Sequence, residues 1–149
     1  MNPSTPIIHV LLAEDDVDDR YFFNKALKTV PFIVNLDIVE EGEELMTFLN
    51  GNSDNLPDVL FLDQNMPRQN GFECLVEIRR SPLLKDLPVI IYSTYLADDV
   101  ADKFYEVGAH YYFRKTTLKE LEKILQHIFT MISENRLIKP SREKFVVLE

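Results

Sequence analysis

Carboxylates, a hydroxyl and an amine recur in this chain directly after apolar runs. "IIHVLLA" (7–13) leads into Glu14, Asp15 and Asp16, and "PDVLFLD" (57–63) ends on Asp63. "LPVIIYS" (87–93) ends on Ser93, followed by Thr94, and "HYYFRK" (110–115) ends on Lys115. Brought together, Glu14, Asp15 and Asp63 repel one another unless protons or a cation neutralise them. A hard divalent ion that takes oxygen ligands and keeps some of its waters, Mg²⁺, suits that set. Asp63 can then attack a phosphorus centre and carry an acyl phosphate. Lys115 would pair with one phosphoryl oxygen and the Ser93 hydroxyl would bond another. Backbone groups around Asn65 would complete the cradle.

These residues meet only if the apolar runs are strands of one sheet. Between them lie amphipathic stretches with helix signals: 16–30 with an acidic start, 42–51 closed by Asn50-Gly51, and 71–81 ending before Pro82. Two more follow, 98–109 with Gly108 at its end and the long 117–135. With a further strand over 32–40, five strand–helix pairs alternate. Strict alternation with wholly apolar strands predicts a five-stranded parallel sheet with helices on both faces. Ligands of such sheets bind beyond the carboxyl ends of the strands, where all four polar endings fall. In the loop "NMPRQNG" after Asp63, Pro67 adds stiffness and Gly71 is expected to take a conformation other residues resist.

The bulk properties narrow the function. A chain of 149 residues with 46% hydrophobic content fits one domain with a real core. A net charge of −9 argues against unaided nucleic-acid binding and is compatible with a cation or a basic protein partner. The single cysteine, Cys74, rules out an intrachain disulfide and fits a reduced compartment. "MNPSTPIIHVLLAEDD" has neither the basic start nor the long apolar run of a signal peptide or membrane span, so a soluble, cytoplasmic protein is expected.

With "LLAEDD", "VLFLDQNMPRQNGFE", "PVIIYST" and "GAHYYFRK" in this order and spacing, the sequence resembles the CheY-like receiver domain of two-component response regulators over residues 7 to 133. The resemblance implies a doubly wound (βα)5, flavodoxin-like three-layer α/β/α sandwich. It implies Asp63 as phosphoacceptor, Glu14 and Asp15 as the acidic pair, and the Asn65 backbone carbonyl as a further Mg²⁺ ligand. Ser93 matches the switch hydroxyl, Tyr112 the switch aromatic and Lys115 the conserved-type lysine. A histidine kinase or phosphotransfer protein donates the phosphoryl group in such proteins. The signal passes through the surface of the fourth helix, fifth strand and last helix to a downstream protein. Such a protein catalyses only its own phosphorylation and dephosphorylation.

One departure stands out: the family usually has Lys-Pro with a cis peptide, whereas Thr116 follows Lys115 here. A non-proline cis bond costs roughly 3 kcal/mol, so either that bond or a rearranged loop is expected. Tyr95 is expected to shield an acyl phosphate from water.

Other residues have plainer readings. Asp18 and Asp19 read as the acidic start of a helix, and Asp16 as an orienting residue of the loop or of a metal-bound water. His9, His110 and His127 have no metal-ligand spacing, and Cys74 reads as a small core residue. The stripe Leu118, Leu121, Ile124, Leu125, Ile128 and Phe129 is first a core face, whose overflow could build a dimer seam. Residues 1–135 form the expected domain, and 136–149 a short tail with no output domain, whose "FVVL" suggests packing across a second copy.

Two other functions compete. A phosphatase of the haloacid-dehalogenase type also uses a strand-end aspartate, but its Asp-x-Asp is replaced here by Asp63-Gln64-Asn65, and Asn65 cannot serve as general acid and base. A receiver that acts only as an unphosphorylated binding module is the other. Flavin or dinucleotide binding lacks its Gly-rich loop after the first strand.

Overall fold

The computed structural model describes residues 7–147. Its elements run β1 (Ile7–Ala13), α1 (Val17–Leu27), β2 (Ile33–Val39), α2 (Gly42–Gly51), β3 (Val59–Leu62), α3 (Gly71–Arg80), β4 (Val89–Ser93), α4 (Asp98–Val107), β5 (Tyr111–Arg114), α5 (Leu118–Ser133), α6 (Arg142–Phe145) and β6 (Val146–Val147). All neighbouring strands are parallel, in the order β2-β1-β3-β4-β5-β6.

Strand side chains alternate between faces, so each apolar strand feeds two cores. Leu60 and Leu62 of β3 pack with Leu45 and Leu49 of α2, Leu75 and Ile78 of α3 and Phe104 of α4. Val59 and Phe61 of the same strand pack with Phe23 and Leu27 of α1 and with Leu121, Leu125 and Phe129 of α5. The doubly wound, flavodoxin-like α/β/α arrangement follows from that double burial. No helix among the described residues is long and apolar enough to cross a membrane.

The sheet has six strands, one more than the sequence pattern predicts. β6 is only two residues long, too short for any periodicity to show. Val146 pairs with Tyr112 and Val147 with Phe113, while Phe145 is fully buried against the Tyr105 ring at 5.3 Å. The Tyr105 hydroxyl donates to Pro140 O at 2.9 Å, and Arg142 lies 2.6 Å from Asp102. The apolar residues that suggested packing on a second copy therefore cover this chain's own β5 edge. The last two, Leu148 and Glu149, lie outside the described residues.

Local chemistry sets the loops that carry the polar residues. Asp16 caps α1 by accepting from the Asp19 N–H at 2.9 Å. Asn70 and Glu73 form a capping box that starts α3. Gly71 is required by close packing: a Cβ there would lie 2.5 Å from Asp63 O. Contrary to expectation, it does not take a positive φ; in this loop that conformation falls to Arg68, at φ 70°. No cis peptide occurs among the described residues, so Lys115–Thr116 is trans.

Candidate phosphoacceptor site

The carboxyl ends of β1, β3, β4 and β5 converge on one edge. Glu14, Asp63 and Ser93 are the polar or charged residues buried there, and they are the buried ones throughout the described chain. A buried carboxylate must be paired or hydrogen-bonded, and both oxygens of Asp63 are engaged. Ser93 Oγ donates to Asp63 Oδ1 at 2.7 Å, and Lys115 Nζ lies 3.4 Å from Asp63 Oδ2. The Gln64 N–H reaches Ser93 Oγ at 3.4 Å, and the Lys115 N–H donates to Ser93 O at 2.8 Å. The acidic loop, Asp63, Ser93 and Lys115 thus lie together, as the sequence suggests.

Glu14, Asp15 and Asp63 place one oxygen each within 4.8 Å of one another. Burial pushes the Glu14 carboxyl up to about 8; the Lys115 ammonium opposes this and Asp63 adds to it. Glu14 Oε1 lies 2.8 Å from Lys115 Nζ, in ion-pair range but without hydrogen-bond geometry, and is otherwise unpartnered. Three oxygen donors gathered this closely fit a hard divalent cation. Burial alone would lower the Lys115 ammonium, but Asp19, Glu14 and Asp63 outweigh it and hold the group above its ordinary range.

The sequence reads Asp19 as part of an acidic helix start. Its Oδ2 in fact lies 2.7 Å from Lys115 Nζ, the shortest of that ammonium's three ion pairs. No local signal separates Asp19 from Asp18, its neighbour in the same acidic first turn. Asp18 is exposed, and Asp16 is the helix cap.

Tyr112 is buried, and its hydroxyl donates to Thr94 O at 2.8 Å and accepts from the Leu96 N–H at 3.0 Å. It is thereby bonded to the loop that follows Ser93. Asn65 is exposed, with its side-chain amide 3.5 Å from Thr94 Oγ1. Tyr95 is exposed, and the Arg114 guanidinium lies 5.3 Å from its ring centroid. Away from the site, His110 accepts from the Val89 N–H at 3.4 Å, and burial, then Arg79 and Lys139, lower it to about 4. Cys74 is buried, which pushes its thiol up to about 12, as befits a core residue.

Residues 10–128 match the family model described as the response regulator receiver domain. The chain belongs to that family. Among receiver proteins, the response regulator Rcp1 of Synechocystis sp. is 35% identical over 130 residues, covering 84% of this chain and 88% of its own length. The two-component response regulator ORR13 of Oryza sativa subsp. japonica is 31% identical over 121 residues, covering 80% and 97%. The Mn²⁺-bound form of Rcp1 superposes with a TM-score of 0.74 at 30% identity, over 90% of this chain and 99% of that one. The phosphorylated cyanobacterial phytochrome response regulator RcpA gives 0.77 at 29% identity, over 87% and 96%. The membership is to two-component signalling, and the receiver's acidic cluster fits divalent-metal binding.

Proposed function

We propose that this receiver accepts a phosphoryl group on Asp63 from a histidine kinase or phosphotransfer protein in the cytoplasm, with Mg²⁺ as cofactor. The observation that supports this most is the engagement of both oxygens of a buried Asp63, by Ser93 at 2.7 Å and Lys115 at 3.4 Å. In the transfer, an Asp63 oxygen forms the bond to phosphorus as the donor's P–N bond breaks. The imidazole leaves and regains its proton. Ser93 and Lys115 orient the carboxylate before attack and then hold phosphoryl oxygens. Glu14, Asp15, Asp63 and the Asn65 carbonyl would hold Mg²⁺, whose contribution is to neutralise charge on the phosphoryl group. The chain catalyses nothing beyond its own phosphorylation and dephosphorylation.

Output passes to a downstream protein through the α4-β5-α5 face, by contacts and not through nucleic acid or membrane. Tyr112 supports this choice of face, because its hydroxyl ties β5 to the loop that begins just after Ser93. A phosphoryl oxygen that recruits Ser93 changes the tension on that loop, and the added charge biases a small packing switch.

The test is intact-protein mass after incubation with acetyl phosphate and Mg²⁺, for the wild type and Asp63→Ala. One phosphoryl gain in the wild type is expected, absent in the variant and blocked by chelator. A histidine-kinase donor and beryllofluoride binding extend the test. Failure with every donor would instead favour a phosphorylation-independent binding module.

A further inference from the structure

We propose that Asp19 is a positioning residue for phosphoryl uptake, acting as the standing anchor of the Lys115 ammonium. The inference rests on the reading of Asp63 as phosphoacceptor. Three carboxylates surround Lys115 Nζ: Asp19 at 2.7 Å, Glu14 at 2.8 Å and Asp63 at 3.4 Å. The Tyr92 ring flanks the same ammonium at 6.0 Å.

The three carboxylates differ in what else they must do. Glu14 belongs to the cluster that fits a cation, and its other oxygen accepts from the Asp16 N–H at 3.3 Å. Asp63 must give an oxygen to phosphorus. Asp19 has neither duty, and it makes the shortest contact. It is also well fixed, because its N–H is bound by the Asp16 cap and α1 holds its backbone.

The ammonium itself is half anchored by other means. The Lys115 N–H is tied to Ser93 O, but that fixes only the root of a long, flexible side chain. The Lys115 side chain is 14% exposed and that of Asp19 is 37% exposed, so the pair closes the solvent side of the cluster. Without Asp19, the amine is free to swing outward into solvent. That movement misplaces the charge that must meet the incoming phosphoryl oxygens, and small misplacements of such groups are costly in rate.

The experiment is Asp19→Asn in the full chain, with two independent readouts. Asparagine keeps the size and the α1 backbone bond to Asp16, and removes the charge. Phosphoryl uptake from acetyl phosphate at saturating Mg²⁺ should slow about tenfold, and Asp19→Glu should restore most of the rate. In a Lys115→Ala background, Asp19→Asn should add no further loss, because Asp19 acts only through that amine. A merely structural role would instead add in both backgrounds. The second readout needs no phosphoryl transfer: acetylation of Lys115 by acetic anhydride, followed by peptide mass, should be several-fold faster in Asp19→Asn, whose amine is released to solvent. Unchanged labelling of Lys115, or a further loss of uptake in the Lys115→Ala background, overturns the proposal. If the wild type takes no phosphoryl group, the reading of Asp63 fails, and the labelling rate alone decides whether Asp19 anchors Lys115.

Discussion

Ser93 Oγ donates to Asp63 Oδ1 at 2.7 Å, joining the ends of β4 and β3 across 30 residues of sequence. The bond lies wholly in the interior, where a carboxylate oxygen that loses its donor keeps its desolvation cost. Ser93→Ala should therefore destabilise the fold by about 1–3 kcal/mol. It should also slow phosphoryl uptake while leaving Asp63 as the modified residue. Urea denaturation and peptide mapping of the phosphorylated protein measure the two effects. A variant as stable as the wild type would mean that another donor replaces Ser93.

The raised Glu14 carboxyl gives stability a pH dependence. Its value moves from 4.5 unfolded to about 8 folded, so the folded state binds the extra proton between these limits. Stability from this group is complete below pH 4.5 and is lost as the pH rises through about 8. His110 acts the other way, being lowered from 6.5 to about 4, so its contribution rises with pH until 6.5. The window free of His110 is thus pH 6.5 to 8. With chelator present, the melting temperature should fall across that window, and Glu14→Gln should flatten the slope. Mg²⁺ should restore stability most at the alkaline end, because it favours the ionised carboxylate. Melting curves that stay flat in chelator would contradict the account.

Much of this site was legible because buried parallel strands must be apolar throughout. A carboxylate, hydroxyl or amine at their carboxyl ends is conspicuous, and Glu14, Asp63, Ser93 and Lys115 are all of that kind. Asp19 was not legible, because an acid in the first turn of a helix already has a local reason to be there. Its partner lies 96 residues away, and only the tertiary fold brings them together. Gly71 shows the same limit. A glycine in a turn suggests a backbone conformation, whereas the close passage of Asp63 O decides the matter here. β6 escaped notice because two residues carry no period, and its pairing depends on Phe145 filling space beside Tyr105.

Phe145 lies entirely within the core, between α4 and the β5 edge. Phe145→Ala removes that volume and should cost about 3 kcal/mol, the low end for a buried phenylalanine. Deletion of residues 141–149 should cost at least as much, since it also exposes the β5 edge. Urea midpoints of the two variants measure this. A deletion that unfolds no earlier than the full chain would show that the tail contributes nothing to the fold.

Tyr112 offers a way to separate the chemistry from the readout. Its hydroxyl binds Thr94 O at 2.8 Å and the Leu96 N–H at 3.0 Å, but does not touch Asp63. Tyr112→Phe keeps the buried ring and deletes only those two bonds, at a cost of about 1 kcal/mol each. The Leu96 amide loses its acceptor and should exchange with solvent several-fold faster, as hydrogen exchange would show. Phosphoryl uptake at Asp63 should stay within about threefold of the wild type, because Ser93 and Lys115 remain in place. Affinity for a downstream partner should then respond less to phosphorylation. A large drop in uptake, with unchanged exchange at Leu96, would place Tyr112 in the chemistry instead of the loop.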